Sequence, residues 1–473
     1  MLGSCPAPFW CGVCLKSPLK EYIIKIIYGN CSNNLLTLTR KYTFGILNNE
    51  CMYKKYAYLI LIFIFFIFIF FKLQKSNVPY HVDEVSWFFH TVFFDELFLK
   101  HNFDKKFWLS YESFDHPQLS KYIFGAYLFS KDKGYAYDRD MLQATYGRWR
   151  FYSILHSDTI PKSPFYTPIN TMREINLVIT FLTLVILFLL SKILINNIFI
   201  PLFFVFFLTS NSLFTRNMLT ATPDAHYIFF IILAIFSYIQ YIRSRRKSYI
   251  YLFALFSGLS ITAKLTGSLI IIVYVLYLIH RLFRKKKHEL GLLLKEFLVV
   301  ISIIAVVWTV ANPTIFYSPV KSSIFYFSER IRTLESFSRF KDKGLITFKE
   351  RVHATYCISL VRKCHGYPTG SLFANPFLNI LFVFFGILYL IQLMKGKKRL
   401  EGIFITLLLI VVIIGSTVFI PLKWNRYYLP LTIFLILLEF MGINYIVNFV
   451  IKRLSLKIKH LLPSKIDNFL KSK

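Results

Sequence analysis

Long apolar runs recur along the whole chain, and most of them approach the length needed to cross a bilayer. A transmembrane helix needs about 20 mainly apolar residues. Ten runs of this kind, some slightly shorter, cover residues 56–73, 172–194, 196–213, 224–242, 248–263, 266–283, 293–311, 376–394, 401–420 and 427–451. The pattern therefore predicts an all-α integral membrane protein with about ten transmembrane helices.

Composition agrees with this class of protein. Of the 473 residues, 56% are hydrophobic and 19% are aromatic, and the mean hydropathy is +0.53. These values are typical of a polytopic membrane protein and exclude an ordinary soluble globule. The formal net charge is +32, but the basic residues fall in short clusters beside the spans, as expected of cytoplasmic loops. We therefore expect no nucleic-acid partner.

The positions of the basic clusters test the number of spans. Five clusters flank the predicted spans, at residues 54–55, 243–247, 281–287, 395–399 and 452–459. With ten spans, all five clusters lie on the same side of the membrane as both termini. The positive-inside rule assigns that side to the cytoplasm, so the loops 74–171 and 312–375 are predicted to be extracytoplasmic.

The chain is predicted to consist of one membrane domain with two flanking segments. Residues 1–51 lack amphipathic periodicity and precede a natural-looking start at Met52, which predicts a disordered extension or a misassigned start. Residues 52–451 form the transmembrane domain, and residues 452–473 form a basic cytoplasmic tail. In the late loop the sequence leaves open whether Cys357 and Cys364 form a disulfide.

The first extracytoplasmic loop mixes apolar, aromatic and charged residues. Three of its segments are predicted to be amphipathic helices lying in the membrane interface, at residues 84–100, 117–130 and 138–156. Three tryptophans are predicted to anchor these helices at the level of the lipid headgroups: Trp87, Trp108 and Trp149.

Polar residues capable of chemistry collect on the side opposite the basic clusters. The acidic pair Asp83-Glu84 follows the first span, and Asp115-His116 lies later in the same loop. Two acids so close to a membrane are costly in a purely structural role. Other polar residues predicted on this side are Arg173, Arg216, Asp224, Lys264 and Arg426. We expect these loops to converge on one site.

Most of these residues also have a structural explanation. Asp224 could cap the fourth span, and Arg173 and Lys264 could extend from the ends of spans to the membrane surface. Arg426 could be an interfacial anchor, and His116 could hold the loop by a hydrogen bond. Position alone leaves both explanations open.

In chain order, the motifs around these residues resemble the protein O-mannosyltransferase family, glycosyltransferase family 39. His81-Val82-Asp83-Glu84-Val85 and Phe114-Asp115-His116-Pro117 are similar to the family's Asp-Glu and His-Pro elements. Arg173-Glu174, Thr222-Pro223-Asp224 and the stretch 258–267 around Lys264 continue the order, so that the resemblance covers about residues 56–270. Gln118 departs from the pattern, because the family usually has a second proline there.

The resemblance, shared with the aminoarabinose transferases, implies the GT-C fold and a glycosyltransferase activity. The implied reaction moves a sugar, mannose or a similar hexose or pentose, from a polyprenyl-phosphate donor to an acceptor hydroxyl, with inversion. The acceptor would be a protein, a glycolipid or a cell-wall polymer at the extracytoplasmic membrane face. No cofactor is assigned, and a requirement for a divalent metal is left open.

The resemblance also implies roles for individual residues. Asp83 and Glu84 are assigned to catalysis, with Asp83 as the general base. Residues assigned to the donor phosphate are Arg173, Arg216, Lys264 and Arg426. Residues assigned to the acceptor or to the shape of the site are Asp115, His116 and Asp224. No residue is assigned as a metal ligand.

The alternative function is that of a polytopic lipid or sugar transporter or flippase without transferase activity. Such a protein would place charged residues inside its spans and show inverted repeats. No repeat of this kind is visible in the sequence, and the acidic residues collect in loops. These features favour the enzyme over the transporter and over a purely structural membrane protein.

Overall fold

The computed structural model describes residues 43–136, 139–141, 160–195, 197–284, 290–339, 344–361, 372–373 and 375–461. The helices with bounds in these ranges are α1 Thr43–Gln74, α2 Val82–Phe89, α3 Val92–Phe94, α4 Lys105–Trp108, α5 Tyr111–Asp115, α6 Leu119–Lys131, α7 Tyr166–Leu194, α8 Phe199–Ser210, α9 Ser212–Leu219, α10 Asp224–Ser244, α11 Lys247–Ala263, α12 Leu269–Arg284, α13 Leu290–Ala311, α14 Thr314–Tyr317, α15 Pro319–Ser338, α16 Phe348–Leu360, α17 Pro376–Lys395, α18 Arg399–Val418 and α19 Leu429–Leu461.

Irregular helical turns complete the secondary structure. They are a π-helical turn at Asp95–Leu99 and 3₁₀ turns at Ile160–Lys162, Leu265–Ser268 and Asn425–Tyr428. Within the described ranges, the β contact is an isolated bridge between Gly344 and Leu422. The prediction of an all-α protein is therefore confirmed.

The described chain separates into two compact units. The first unit ends at Phe70 and includes the larger part of α1, which continues through residues 43–51 of the segment predicted to be an extension. The second unit starts at Phe71 and contains every other helix. All residues of the candidate site lie in this second unit.

By length and composition, the described residues contain fewer candidate membrane-spanning helices than the ten predicted from the sequence. Among the described residues, eight helices meet both requirements: α1, α7, α10, α12, α13, α17, α18 and α19. The pair α8 and α9, bent by 70° around Asn211, would make nine. The remaining predicted span, 248–263, corresponds to α11, which has 17 residues and is therefore about 26 Å long, short of the bilayer core.

Helix α11 nevertheless returns the chain along the length of α10. Lys264 follows the last residue of α11, and its Nζ lies 2.6 Å from Oδ1 of Asp224, the first residue of α10. The two helices are joined at their other ends by residues 245 and 246. The chain therefore comes back to the level at which α10 began, as the ten-span topology requires.

Helix α10 lies at the centre of the second unit. Of its apolar window, 72% is buried, compared with 17% for α13. α10 packs against α7 and α11, and Gly258 of α11 allows close packing on α13, because a Cβ there would lie 2.8 Å from Cβ of Val307. The site residues at the start of α10 are thus held by the most buried part of the bundle.

The helices of the first loop form a packed cap rather than separate interfacial segments. The predicted helix 84–100 is divided among α2, α3 and the π turn, and 117–130 corresponds to α6. Trp87 and Trp108 are 3% and 0% exposed. The prediction that they are headgroup anchors is therefore wrong, because aromatic neighbours from adjacent helices cover them. Trp149 and most of 138–156 lie outside the described residues.

A buried ion pair fixes one side of this cap. Nη1 of Arg139 lies 2.5 Å from Oδ2 of Asp95 in the π turn. The hydroxyl of Tyr135 donates to the other carboxylate oxygen of Asp95. Burial and the adjacent carboxylate raise the pKa of Tyr135, so its hydroxyl stays protonated and able to donate.

Candidate active site

A helix N-terminus places Asp83 and Glu84 after the first span. His81 is the N-cap of α2, and its Nδ1 accepts a hydrogen bond from the backbone N–H of Asp83 at 3.2 Å. The carboxylate of Glu84 accepts in return from the backbone N–H of His81 at 2.7 Å. This capping box satisfies free backbone donors of the first turn, where carboxylates are also favoured by the helix dipole.

The side chain of Glu84 points into the protein and is 0% exposed. Its two oxygens accept hydrogen bonds from Nε and Nη2 of Arg173, both at 2.7 Å. Oε1 also accepts from the backbone N–H of Ala221 at 2.7 Å. Glu84 therefore ties α2 to α7 and to the turn that precedes α10.

Arg173 is committed to the same network. Besides the pair with Glu84, its guanidinium donates to the carbonyls of Val78 at 2.8 Å and Pro79 at 3.1 Å. It also lies over the ring of Tyr80, 4.0 Å from the ring centre. These contacts use four of its five N–H donors, which leaves little of the guanidinium for a ligand.

The side chain of Asp83 points the other way and is 29% exposed. Its Oδ2 lies 2.5 Å from Nη1 of Arg426, which belongs to the 3₁₀ turn before α19. Burial alone would raise the pKa of Asp83, but Arg426, His81 and His116 outweigh it, so the pKa lies below its ordinary value. Asp83 is therefore ionised at neutral pH.

A second ion pair lies beside the first. Lys264 is 5% exposed and pairs with Oδ1 of Asp224 at 2.6 Å. The other oxygen of Asp224 accepts from the hydroxyl of Thr222 at 3.0 Å. Nζ of Lys264 also lies 5.1 Å from the ring centre of Tyr427, the residue after Arg426. The start of α10, the end of α11 and the turn 425–428 thus meet at one place.

The charge on Lys264 is influenced by both ion pairs. Burial lowers its pKa, and Arg426 acts in the same direction, whereas Asp224 and Tyr427 oppose them. The net direction is downward from the ordinary value of 10.5. An anion placed between Lys264 and Arg426 would stabilise the charged form of both.

His116 lies at the edge of the same cluster. Its ring packs on Trp87, with the ring centres 5.0 Å apart. Burial lowers the pKa of His116 well below its ordinary value of 6.5, and Arg330, Lys121, Lys264 and Arg426 lower it further. The imidazole is therefore neutral at pH 7. Oδ2 of Asp115 lies 3.9 Å from its Nε2, and the Asp115 side chain is 28% exposed.

Arg330 was not identified from the sequence. It lies on α15 in the late loop, and its guanidinium donates to the hydroxyl of Tyr427. It is half-buried. Several cations of this loop have similar surroundings in the sequence, so nothing in the local pattern separates Arg330 from Arg332 on the same helix. Arg330 belongs to the cluster because it lies 5.8 Å from the ring centre of Tyr427, beside which Lys264 lies at 5.1 Å.

Lys121 was also missed, although it lies only four residues after Pro117. It is fully buried on α6, its Nζ donates to the carbonyl of Glu112 at 2.9 Å, and it lies 4.1 Å from the ring centre of Phe93. An amphipathic pattern predicts that a lysine lies on the exposed face of the helix, so the burial of Lys121 could not be predicted from it.

The structure brings together five of the predicted residues and separates four. The residues that meet are Asp83, His116, Asp224, Lys264 and Arg426. Glu84 and Arg173 form their own network behind Asp83, and Asp115 contacts the cluster through His116. Arg216 is exposed on α9 and forms no ion pair with any other described residue. The predicted convergence of loops is therefore confirmed, whereas the individual roles stay predictions.

The cluster carries an excess of positive charge. Among the described residues it contains the cations Lys121, Lys264, Arg330 and Arg426 and the carboxylates Asp83, Asp115 and Asp224. With His116 neutral, the net charge is positive by one, which suits an anionic ligand. The described residues contain no group of three His, Cys, Asp or Glu side chains placed to hold a metal ion.

Gln118, the departure from the family pattern, joins the first loop to the late loop. Its backbone N–H donates to Oδ1 of Asn312 at 3.1 Å, a bond that proline could not make. Its side-chain amide donates to the carbonyl of Ser113 at 2.6 Å and to the hydroxyl of Tyr326 at 3.3 Å. The glutamine at this position thus forms hydrogen bonds that hold the two loops together.

The solved structures that are similar to this chain include two of the oligosaccharyltransferase from Archaeoglobus fulgidus. One is AglB in complex with an inhibitory peptide and a dolichol-phosphate, with a TM-score of 0.46 and 12% identity over 87% of this chain and 53% of that chain. The other is the apo form, with a TM-score of 0.46 and 12% identity over 82% and 50%. The chain thus spans about half the length of these structures.

A search of the curated proteins found no match. A family model does match, described as dolichyl-phosphate-mannose-protein mannosyltransferase, over residues 86–318. This range includes His116, Asp224 and Lys264, and it begins three residues after Asp83. The resemblance of this chain to the protein O-mannosyltransferase family is therefore confirmed.

Proposed function

We propose that this protein is an inverting membrane glycosyltransferase that moves a sugar from a polyprenyl-phosphate donor to an acceptor hydroxyl. The observation that carries the proposal is the meeting of a partly exposed carboxylate, Asp83, with three cations at one end of the bundle. The name of the matched family favours mannose as the sugar and a protein as the acceptor. A glycolipid or a cell-wall polymer would present the same hydroxyl chemistry.

In the proposed reaction Asp83 is the general base. It takes the proton of the acceptor hydroxyl while that oxygen attacks the anomeric carbon. The bond between the anomeric carbon and the phosphate oxygen breaks, and the configuration at the carbon inverts. The polyprenyl phosphate leaves with one additional negative charge, and the proton remains on Asp83.

The cations of the cluster are suited to that leaving group. Arg426 and Arg330 can each offer paired N–H donors to phosphate oxygens, and Lys264 offers a point charge. Stabilising the charge that develops on the leaving oxygen lowers the barrier directly. His116, held neutral, is placed to contact the acceptor or the sugar, and Asp224 holds Lys264 in position.

The ion pair between Asp83 and Arg426 implies that the donor binds before the acceptor hydroxyl is deprotonated. In the structure Arg426 contacts Asp83 and weakens it as a base. A donor phosphate would compete for Arg426, and loss of this contact would raise the pKa of Asp83. We propose that donor binding thereby activates the base, so that the hydroxyl is deprotonated only when the donor is in place.

Glu84 and Arg173 are proposed to position the site rather than to react. Both oxygens of Glu84 already accept hydrogen bonds, and the residue is fully buried. Arg173 is likewise held by backbone carbonyls. Their pair fixes the first turn of α2 and, through it, the direction of Asp83.

The direct test uses purified protein with polyprenyl-phosphate mannose and a serine- and threonine-containing peptide. We expect release of polyprenyl phosphate that depends on the peptide and is lost in Asp83→Asn. Asp132→Asn removes an exposed carboxyl of the same loop that is not part of the cluster, and it serves as the control. Movement of the lipid across vesicles without cleavage of the sugar–phosphate bond would favour the transporter, and inactivity with mannose but turnover of another sugar would change the donor.

We also propose that the site faces away from the cytoplasm. The proposal is supported by the basic residues 243–247 and 395–399, which lie at the opposite ends of the spans from the cluster. In a background that lacks the other reactive cysteines, Lys105→Cys of the first loop should react with an impermeant thiol reagent in intact cells. Lys247→Cys should react only after permeabilisation, and the reverse result would contradict the assignment.

A further inference from the structure

A second polar site lies at the other end of α19. A cavity of about 620 Å³ opens between the end of α17 and the second half of α19. Its polar lining includes Tyr389, Lys397, Lys398, Asn444, Asn448 and Lys452. Asn444 follows Arg426 by 18 residues, which corresponds to roughly 27 Å along a helix. The cavity therefore lies near the opposite membrane surface and is separate from the candidate active site.

Two glycines define the closed end of the cavity. A Cβ on Gly386 of α17 would lie 2.2 Å from the carbonyl oxygen of Leu438 on α19. A Cβ on Gly442 of α19 would lie 2.0 Å from the carbonyl oxygen of Phe382 on α17. The two backbones therefore touch at this level, and the cavity begins one turn beyond it, where larger side chains keep the helices apart.

The lining of the cavity is positively charged. Lys397, Lys398 and Lys452 contribute to it, and no Asp or Glu is among its lining residues. Nζ of Lys398 donates to the carbonyl of Ile193 at 2.5 Å, at the end of α7. The carboxylate of Glu401, which also acts on Lys398, lies 4.0 Å from Arg243 and is shared with it.

The electrostatics of Lys398 reflect this excess of positive charge. Burial lowers its pKa to about 8, and Arg243 and Lys192 act in the same direction, with partial opposition from Glu401. A bound anion would reverse this shift and restore the full charge of the lysine. The lining of the cavity therefore has no negative charge to balance its lysines, and a bound anion would supply one.

A buried amide supplies directed hydrogen-bonding groups. Asn444 is 2% exposed and lines the cavity, yet its side chain has no hydrogen bond to any other described residue. The amide of Asn444 is therefore available to a group bound in the cavity. Asn448 lies one turn further along the same face of α19. Together the two amides can donate to the oxygens of one anionic group.

We propose that this cavity binds the phosphate headgroup of an anionic membrane lipid. The lysines and amides match the charge and the acceptors of a phosphate diester, and basic pockets between membrane helices are suited to such headgroups. The site also continues into lipid. Phe449 lines the cavity and is 49% exposed, and its neighbours Val450 and Ile451 are exposed as well, so acyl chains can follow the outside of α19. A soluble phosphate has no acyl chain that could contact this apolar surface.

The test measures lipid binding to purified full-length protein by native mass spectrometry. Phosphatidylglycerol is the anionic probe, and phosphatidylcholine is the zwitterionic reference. In Lys397→Gln/Lys452→Gln we expect affinity for phosphatidylglycerol to fall about 25-fold, from roughly fivefold per lysine. Binding of phosphatidylcholine should not change. Asn444→Leu, which keeps the charges, should weaken the same lipid several-fold.

A control variant separates a specific site from general surface charge. Lys247→Gln/Lys395→Gln removes two cations from the same end of the spans without touching the cavity lining, and we expect less than a threefold change. Equal losses in the two double variants would overturn the proposal. So would equal wild-type affinity for the two lipids. Thermal protection by glycerol 1-phosphate alone, as strong as that by phosphatidylglycerol, would assign the cavity to a soluble anion and overturn the lipid assignment.

Discussion

Asp83 and Glu84 are neighbours with the same functional group and an arginine partner each, yet they occupy opposite environments. Glu84 is fully buried, and its oxygens accept bonds from Arg173, Ala221 and His81. Asp83 is 29% exposed and has one close cation, Arg426. Because consecutive side chains of a helix differ by about 100° in direction, one acid enters the protein and the other faces the site.

The difference shows how an acidic pair beside a membrane can divide two tasks. A carboxylate with every oxygen satisfied stabilises the fold, and removal of its partner leaves an uncompensated charge. A carboxylate with one exchangeable partner can release that partner and accept a proton. The number of fixed contacts, rather than the residue type, therefore distinguishes the positioning acid from the reactive one. The following predictions test that distinction.

The largest effect is expected from Asp83→Asn. Asparagine keeps the shape and can still accept a hydrogen bond from Arg426, but it cannot take a proton, so turnover should fall by about 10²–10⁴. The melting temperature should stay within a few degrees of the wild type. Turnover and thermal unfolding are measured on the same preparation. Near-normal turnover would exclude Asp83 as the base.

The next effect concerns the buried acid. Glu84→Ala leaves Arg173 without its counter-ion inside the protein, and breaking a buried pair in this way typically costs about 3–5 kcal/mol of unfolding free energy. Thermal unfolding of the purified protein is the measurement. Glu84→Gln, which keeps part of the hydrogen bonding, should lose less. A fully stable Glu84→Ala protein that lacks turnover would instead make Glu84 a reactive group.

A smaller effect is expected from Arg330→Gln. Arg330 contacts Tyr427 but forms no ion pair with a carboxylate of the described residues, so its loss should spare the fold. Donor affinity should fall about tenfold, as for one charge-assisted hydrogen bond. Arg332→Gln, on the same helix and with a side chain that is 78% exposed, is the matched control. If both variants bind the donor with equal affinity, Arg330 does not contribute to the phosphate site.

The smallest effect is a change in pH dependence. In the wild type Arg426 holds the pKa of Asp83 below its ordinary value, so the base loses its charge only at acid pH. In Arg426→Gln this opposing charge is gone and burial remains, which raises the pKa. The acid limb of the kcat/KM profile should therefore move to higher pH. A profile that does not move, or moves to lower pH, would contradict the role of the pair.

The sequence predicted the membrane helices and much of the cluster because both depend on local signals. Apolar runs identify spans, and His81, Asp83 and Asp224 lie next to the ends of those spans, so topology alone brings them near one surface. The partners of these residues could not be found in this way. The pair of Asp83 with Arg426 joins positions 343 residues apart, and the choice of Arg173 for Glu84 depends on the relative placement of three helices.

The errors have an equally physical origin. Amphipathic patterns locate apolar faces but do not say whether lipid or protein covers them, and Trp87 and Trp108 were therefore placed in the interface although aromatic neighbours bury them. Helix α11 has 17 residues, fewer than a span usually needs, and hydropathy alone does not say how far it reaches. The pairing of Lys264 with Asp224 shows that it returns the chain to the level at which α10 begins. Cys357 is disulfide-bonded, whereas Cys364, the partner that the sequence left open, lies outside the described residues.

The contacts of Gln118 have a consequence for the thermodynamics of substrate binding. Gln118, Asn312 and Tyr326 are all fully buried and bonded across two loops that are far apart in the sequence. The conformational entropy of ordering these loops is therefore lost during folding, before any substrate arrives. An acceptor that binds between them need not order them again, and more of its intrinsic binding free energy can appear as affinity or as a lower barrier. The glutamine in place of proline thus contributes to preorganisation at a position that touches no substrate in the proposed mechanism.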